Sequence, residues 1–354
     1  MNPAQEAFSV AQVGATLSAP ATSPVDPPAA VRTAPAWFTC DISRSELKEL
    51  MRRSDSPALR SFALWIALLL GSGYAAFRSY GTWWAVPAFL LYGTIYSSSD
   101  ARWHECQHGT AFKTRWLNEF FYEISSFLTI REASLWRWSH SRHHTHTIIV
   151  DYDPEIQVTR PADLIKIAAD FVYLYSGTIE IKRILLHAFG SFTKFEKDYI
   201  PEVARKRTIM SSRIYLLLMA AVVALAIATH SFLPVLFVWT PRFYGGWLHQ
   251  LCGLTQHAGL AENEYDHRKS TRTVYMNPVY RFLYMNMNYH IEHHMYPTVP
   301  FFALPRLHGL IRHQMPRPYQ GIADVYREII PALWRQSKDG NYYVVHALPS
   351  LAGK

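Results

Sequence analysis

The chain has 354 residues, of which 18% are charged and 14% are aromatic. Soluble globular proteins carry about 25% charged residues, so the composition disfavours an ordinary soluble domain. The formal net charge of +8 suits contact with an anionic membrane surface or with an acidic partner protein. The three cysteines form no CxxC pair, which gives no support to a disulfide framework or a metal–thiolate site and favours a reducing, cytoplasm-facing location.

The N-terminal segment 1–36 is rich in Ala, Pro, Ser and Thr and contains no long apolar run. Such a segment cannot bury enough apolar surface to fold, and it lacks the basic start and apolar core of a secretory signal. We therefore expect a disordered tail. A single folded domain should cover 37–335, beginning with a short amphipathic helix capped by Asp41 or Ser43. Residues 336–354 should form a C-terminal tail.

The first of two apolar blocks lies between Arg60 and Asp100. It contains two runs close to the ~20 residues that a helix needs to cross a bilayer. A short link separates the runs, and its tryptophans resemble interfacial anchors. The block therefore predicts a membrane hairpin with spans at about 61–77 and 82–99.

The second apolar block follows Arg213 and predicts spans at about 213–230 and 232–257. Between the blocks, 100–212 contains many arginines and lysines, as expected of a cytoplasmic segment. Buried core helices of a soluble enzyme are the alternative, and the near absence of charge in the second block disfavours it.

Three histidine clusters lie in or after these blocks. HECQH contributes two histidines, HSRHH and HIEHH three each: His104, His108, His140, His143, His144, His290, His293 and His294. Residues i, i+3 and i+4 share one helix face, so each cluster directs its imidazoles to one spot. A pair of metal ions is the simplest reason to collect them. Imidazole binds iron, copper, nickel and zinc; an open, redox-active pair at a membrane surface favours iron, although the spacing does not distinguish it from copper.

Histidines that share a metal site must lie on one side of the membrane, so each apolar block must cross it an even number of times. The sequence therefore predicts an all-α integral membrane protein with four transmembrane helices in two hairpins. A cytosolic helical cap, formed by 100–212 and 258–335, would hold the histidine-rich dimetal site.

Two other functions fit single features. HECQH matches the HExxH motif of zinc proteases, but a zinc protease needs only three protein ligands, which leaves both HxxHH clusters without a role. A metal transporter would need polar residues along a path through the bilayer, and the first hairpin offers almost none.

Arg242 falls within the fourth predicted span, where an unpaired cation costs at least ~2.5 kcal/mol. Either it faces a substrate tunnel and holds a carboxylate, or Pro241 and Gly245-Gly246 break the helix and let it reach the interface.

Over roughly 60–315 the chain resembles the membrane-bound fatty acid desaturase superfamily, through HECQH, HSRHH and NYHIEHHMYPTVPFFALPRLH. The resemblance implies a non-haem diiron centre in a cytosolic cap above four transmembrane helices. It also implies a ligand from the end of the fourth helix, where LTQHAGL offers His257. In the animal acyl-CoA branch an asparagine four residues earlier adds a water-mediated contact; here that position is Gly253.

The resemblance further implies that two electrons and O2 are used to attack an unactivated C–H bond. Loss of a second, adjacent hydrogen gives a double bond, and hydroxyl rebound gives an alcohol. The chain contains no HPGG haem motif and no cysteine cluster, so we expect the electrons to come from a separate carrier, an acidic ferredoxin with its reductase, that docks on the basic cap.

Within the superfamily, NMNYHIEHHMYPTVPFFALPRLH, GLTQHAGLAEN and TRTVYMNP resemble a rhizobial branch that contains dihydrorhizobitoxine desaturase and the hydrocarbon oxygenase of rhizopine catabolism. The specific expectation is desaturation of dihydrorhizobitoxine to rhizobitoxine. The alternative is a fatty-acyl desaturase, hydroxylase or hydrocarbon monooxygenase. The expected location is the bacterial inner membrane, with lipid around the helices, the active site on the cytoplasmic side and no nucleic-acid partner.

Residues near the clusters give weaker signals. His146 lies outside the HxxHH spacing, so it would lie beside the metal site or in solvent. His249, two turns before His257, either faces the same cavity or packs between helices. Metal-bound imidazoles usually donate their other N–H to a carboxylate, and the candidates are Glu105, Asp151, Asp153, Glu155, Glu262 and Glu292.

Overall fold

The computed structural model describes residues 36–350. Within that range the only β-structure is two isolated bridges, and the rest is helical or irregular. The predicted tail 1–36 lies outside the described residues, apart from Ala36. The α-helices are α1 Arg44–Leu50, α2 Asp55–Ser79, α3 Ala85–Ser97, α4 Ser99–Gln107, α5 Arg115–Leu128, α6 Ala133–Thr145, α7 Leu164–Ala169, α8 Leu174–Ala188, α9 Lys194–Tyr199, α10 Glu202–Ala228, α11 Pro241–Gly245, α12 Trp247–His257, α13 His267–Ser270, α14 Pro278–Leu283, α15 His290–Met295, α16 Leu304–Ile311 and α17 Ile322–Gln336.

Two of the predicted spans are helices long and apolar enough to cross a membrane. They are the stretch Arg44–Ser79, which contains α2, and the helix α10. Large apolar side chains cover their outer surfaces; Leu70 is 68% exposed and Leu217 is 69% exposed. An apolar surface of this extent indicates a lipid environment.

The other two predicted spans are less regular. The span 82–99 corresponds to α3, which has 13 residues and so a length of about 20 Å at 1.5 Å per residue. The span 232–257 is divided into a π-helical turn, Val235–Trp239, followed by α11 and α12. Pro241 begins α11, because proline is tolerated in the first turn of a helix. The four-span arrangement remains a prediction.

Helices α3 and α11 approach each other closely at two glycines. A Cβ atom on Gly245 would lie 1.9 Å from the carbonyl carbon of Gly93, and one on Gly93 would lie 2.3 Å from the ring of Tyr244. Only glycine permits this approach. The contact holds the broken segment against the helix that leads into the first histidine cluster.

Helices α5 and α8, which the sequence assigns to the cap, have polar side chains inside and apolar side chains outside. On α8 the buried face includes Glu180 and His187. Its exposed face carries Leu174, Tyr175, Ile179, Leu185 and Leu186, followed by Phe189. On α5, Asn118 and Ser125 are buried whereas Trp116 and Phe120 are exposed. A helix on the surface of a soluble protein has the opposite pattern.

Both ends of the described chain pack on the cap. Phe38 and Leu47 join an apolar cluster with residues of α15 and α16. At the other end, the Val344 amide donates to the Gly259 carbonyl (2.9 Å) and a His346 ring nitrogen lies 2.8 Å from the Arg268 carbonyl oxygen. Within the predicted C-terminal tail 336–354, Val344 and His346 thus pack on the folded domain.

Candidate metal centre

Four elements carry the predicted ligands to one place. Helix α4 ends at the first cluster, α6 carries the second, α12 ends at His257 and α15 carries the third. Since Ser98 alone separates α3 from α4, the first cluster directly extends a predicted membrane helix. All nine predicted histidines converge there: His104, His108, His140, His143, His144, His257, His290, His293 and His294.

Five of these histidines form one group, in which one nitrogen from each lies within 4.8 Å of all the others: His104, His108, His140, His144 and His293. The Nε2 atom of His140 is 3.2 Å from that of His108 and 3.1 Å from that of His144. The Nε2 atoms of His144 and His293 are 3.2 Å apart.

His143, His257 and His294 form the second group by the same distance. His290 adjoins it, with its Nε2 atom 3.2 Å from that of His257 and 3.1 Å from that of His294. The rings of His144 and His294, one from each group, have centroids 4.5 Å apart. The arrangement is thus two neighbouring sets of imidazoles.

Partners behind the rings fix several tautomers. The Nδ1 atom of His140 lies 2.9 Å from Glu155, that of His143 2.8 Å from Asp153, and that of His257 2.8 Å from the Ser270 carbonyl oxygen. The Thr147 hydroxyl donates to the His143 carbonyl (2.9 Å), so it accepts from Nδ1 of His294 (3.1 Å). These four imidazoles carry their proton on Nδ1 and turn an Nε2 lone pair inward.

Hydrogen bonding alone does not account for the inner contacts. Because the proton of His140 is on Nδ1, its Nε2 atom has one lone pair, yet the Nε2 atoms of both His108 and His144 lie close to it. In the same way, Nε2 of His290 could donate a hydrogen bond to only one of its two neighbouring Nε2 atoms. Nitrogens bound at right angles to one metal ion at about 2.1 Å lie about 3.0 Å apart, close to the observed separations. Both nitrogens of His104 are also buried without a partner. The donor set fits two metal ions.

The surroundings keep most of these imidazoles neutral, which is the metal-binding form. Burial and the neighbouring histidines lower the pKa well below its usual value for His104, His140, His144, His290, His293 and His294. Burial and His143 lower the pKa of His108 to about 3. For His143, burial acts in the same direction, but the adjacent Asp153 carboxylate outweighs it and raises the pKa.

Two of the six candidate carboxylates contact cluster histidines, Glu155 and Asp153, and burial raises the pKa of Glu155 to about 7. Glu105 instead accepts from the Thr110 hydroxyl (2.7 Å) and the Phe301 amide (3.1 Å). Both bonds are accepted by Oε1, which fixes the carboxylate toward Thr110 and Phe301. The others are placed elsewhere: Asp151 is exposed, Glu262 pairs with Arg160, and Glu292 pairs with His308.

Arg242 forms an ion pair inside the protein. It is fully buried, its guanidinium binds Asp100 at 2.5 Å and the Ser97 carbonyl at 3.1 Å, and it lies over the Tyr173 ring. Asp100 also pairs with Arg131 at 3.0 Å. Burial alone would raise the pKa of Asp100, but Arg131, with His249 and Arg242, lowers it to about 2. In this structure Arg242 thus forms an internal ion pair, and its role as a substrate anchor stays a prediction.

A cavity of about 330 Å³ reaches the histidines. His249 lines it and holds its Nδ1 atom 3.4 Å from Asp100, so it faces the cavity. Gly253 also lines it, and a Cβ atom there would meet the Gln157 amide at 3.4 Å. The Gln157 side chain thus occupies the space beside Gly253, where the resemblance implies an asparagine.

Sequence spacing gave no signal for one buried neighbour of the centre. His267 is buried, its ring centroid lies 5.2 Å from that of His294, and it stacks on Trp37 at 4.2 Å. His267 begins α13, ten residues after His257, so no helical spacing links it to a histidine cluster and only the folded chain places it beside His294. His146, by contrast, stacks on Tyr152 at the half-exposed edge of the cap.

Comparison with known proteins agrees with this geometry. The family model for fatty acid desaturases matches residues 81–326. The sn-1 oleoyl-lipid 12-desaturase of Anabaena variabilis is 29% identical over 122 residues, 34% of each chain. The sn-1 acyl-lipid omega-3 desaturase (ferredoxin) of Synechocystis is 32% identical over 97 residues, 27% of each chain. The matched stretches therefore span about a third or less of these relatives. Since the family model covers more than half of the sequence, the chain belongs to the fatty acid desaturase family.

Proposed function

We propose that this protein is an O2-dependent diiron desaturase that introduces a double bond into the acyl chain of a membrane lipid. The observation that carries the proposal is the pair of histidine groups with inward Nε2 atoms at metal-ligand separations. Family membership and the names of the acyl-lipid relatives support the substrate class.

The histidines, the carboxylates behind them and the cavity would have separate roles. His104, His108, His140, His144 and His293 would hold one iron, and His143, His257, His290 and His294 the other. When bound, the irons would supply the oxidising power, with O2 and two external electrons. Glu155 and Asp153 keep the Nδ1 protons of His140 and His143 in place. The cavity positions a C–H bond near the centre, and burial of the rings excludes bulk water.

The direct test is to purify the full chain in detergent and measure iron, which should approach two ions per chain. Reduced ferredoxin, regenerated by its reductase, should then allow the protein to remove two hydrogens from an acyl-lipid, detected by mass spectrometry. The His140→Ala variant should lose iron and activity, whereas the His313→Ala variant, changed at an exposed position, should keep both. Zinc in place of iron, with peptide cleavage, would contradict the proposal.

A second candidate is desaturation of dihydrorhizobitoxine, or hydroxylation of a comparable small molecule. The feature that favours it is the polar wall of the cavity, which includes Asp100, Arg131, Glu180, Gln250 and Gln256. Polar walls suit a short amino-acid-derived substrate better than a long hydrocarbon. Metabolites compared between cells with and without the gene would distinguish loss of two hydrogens from gain of one oxygen, and would identify the molecule.

We also propose the four-span arrangement in the bacterial inner membrane, with the metal centre on the cytoplasmic side. The many basic residues of 100–212 support this orientation, and a basic cap would attract an acidic ferredoxin. Cysteines introduced at exposed cap positions should react with a membrane-impermeant maleimide only in inverted vesicles. Labelling in intact spheroplasts would overturn the orientation.

A further inference from the structure

Helices α7 and α8 contact each other, and both expose apolar residues on the outside of the protein. Ile165 on α7 is 82% exposed, Phe189 just after α8 is 81% exposed, and Leu174, Leu185 and Leu186 lie between them in sequence. On α8 these positions recur on a single face, while the opposite face buries Glu180 and His187. An apolar patch of this size on an outer surface marks an interaction with lipid or with another protein. We name it the α7–α8 surface.

Two observations favour lipid as the occupant. Helix α8 packs along α10, which is one of the two candidate membrane spans, so the α7–α8 surface continues a lipid-facing surface. Exposed lysines flank it in sequence at Lys166, Lys194 and Lys197, and Lys182 lies on the same face of α8 as Ile179 and Leu186, with its long side chain able to reach the headgroups. An apolar helix face bordered by lysines is the pattern of a helix that lies in the headgroup region of an anionic bilayer.

The cavity that reaches the histidines opens on this surface. Tyr175 and Ile179 are exposed on the outer face of α8 and also line the cavity. Lys166, paired with Asp163 at 3.1 Å and close to the Tyr175 ring, completes this side of the rim. One rim therefore combines apolar groups, which suit hydrocarbon, with charged groups, which suit lipid headgroups.

We propose that α7 and α8 lie in the interface of the bilayer, and that the cavity receives its substrate from the membrane between Tyr175, Ile179 and Lys166. The location of the helices stands independently, whereas the route of the substrate rests on the proposed function. The route places the lipid headgroup at the rim and the acyl chain inside the cavity. It requires no passage of the substrate through the aqueous phase.

The location can be tested by site-specific labelling, because all three natural cysteines are buried. Single cysteines at Ile165→Cys and Phe189→Cys would carry a fluorophore in the full-length protein, reconstituted in vesicles of phosphatidylglycerol and phosphatidylethanolamine. The matched control is Arg327→Cys, at a side chain that is 80% exposed on α17. Lipids with a nitroxide high on the chain should quench the first two labels about threefold more than the control.

Equal quenching at the three positions would overturn the membrane location. If quenching at 165 and 189 fell when ferredoxin was added, the surface would be a protein-docking face, and the proposal would likewise fail. Neither outcome depends on catalysis, so a failure of the proposed function is distinguishable from a failure of this location.

The route is tested with a pair of substitutions on one face of α8. Ile179→Trp would narrow the rim, whereas Leu185→Trp adds the same bulk on the exposed face at a position that does not line the cavity. With vesicle-borne substrate, Ile179→Trp should raise KM about fivefold at unchanged kcat and unchanged iron content. Unchanged KM, or an equal rise for both variants, would overturn the route.

Discussion

Glu292 lies among three cluster histidines yet turns away from them and binds His308. Its other oxygen accepts from the Thr273 hydroxyl at 2.6 Å, and the Tyr275 hydroxyl lies 2.9 Å from His308 on the far side. Helix α15 has six residues and no side-chain N-cap, so it is too short to hold its orientation alone. The buried Glu292–His308 pair fastens the third cluster to α16.

Loss of the Glu292–His308 pair should weaken the binding of iron without changing the reaction that the protein catalyses. We expect Glu292→Ala and His308→Ala each to speed iron loss to a chelator by about tenfold, because supporting partners of metal ligands contribute 10–100-fold in affinity. The measurement is the time course of iron release from the purified protein. If both variants release iron at the rate of His313→Ala, the fastening role is wrong.

The carboxylates behind the second cluster provide a second prediction. Asp153→Asn and Glu155→Gln should each weaken iron binding by about 10–100-fold, since an amide no longer enforces the Nδ1–H tautomer of its histidine. Asp151→Asn is the control, because Asp151 is exposed and its backbone φ of 68° suits asparagine. Iron titration monitored by absorbance gives the affinities; equal affinity in all three variants would contradict the assignment.

The buried Arg242–Asp100 pair should govern stability. Removing one partner of a buried ion pair costs about 3–5 kcal/mol, and Asp100 serves two arginines, so Asp100→Asn should destabilise more than Arg242→Met. Thermal unfolding in detergent, followed by tryptophan fluorescence, measures the effect. Breaking the exposed Arg306–Glu49 pair by Arg306→Met should leave the midpoint unchanged. A normal midpoint for Arg242→Met together with a raised KM would contradict the structural role and support the substrate-anchor hypothesis.

The close contact between α3 and α11 can be tested by comparing two glycine-to-alanine substitutions, one at the contact and one away from it. Gly245→Ala should destabilise the protein by about 1–3 kcal/mol or more, because the added methyl meets the Gly93 backbone. Gly71→Ala, where a Cβ meets nothing within 4 Å, should keep or raise the unfolding midpoint. The same thermal assay applies, and equal midpoints would show that the helices can separate without cost.

The sequence predicted the convergence of eight histidines because i, i+3, i+4 spacing is a local property, and it predicted the ninth, His257, only through the family resemblance. It also predicted α2 and α10, whose apolar runs are continuous. It offered a helix break at Pro241 and Gly245-Gly246 as one of two alternatives and left the choice open, because whether these residues interrupt a helix depends on the packing against Gly93. His267 and the Asp100 partner of Arg242 were missed for a similar reason, since their contacts join residues far apart in sequence.

The sequence did not reveal the outward apolar faces of α5 and α8, because the interpretation of 100–212 used the total charge of the segment. It did not consider on which face of each helix the charged side chains lie. Both helices are too short for a membrane span, so a window sized for a span does not detect them. Their inverted pattern becomes visible only when burial is known.

Because a single residue separates α3 from α4, the first ligand helix directly continues a predicted membrane span. A thicker or thinner bilayer changes the tilt of such a helix, and His104 moves with it relative to ligands on α6 and α15. We therefore expect the spacing of the two histidine groups to depend on the thickness of the bilayer.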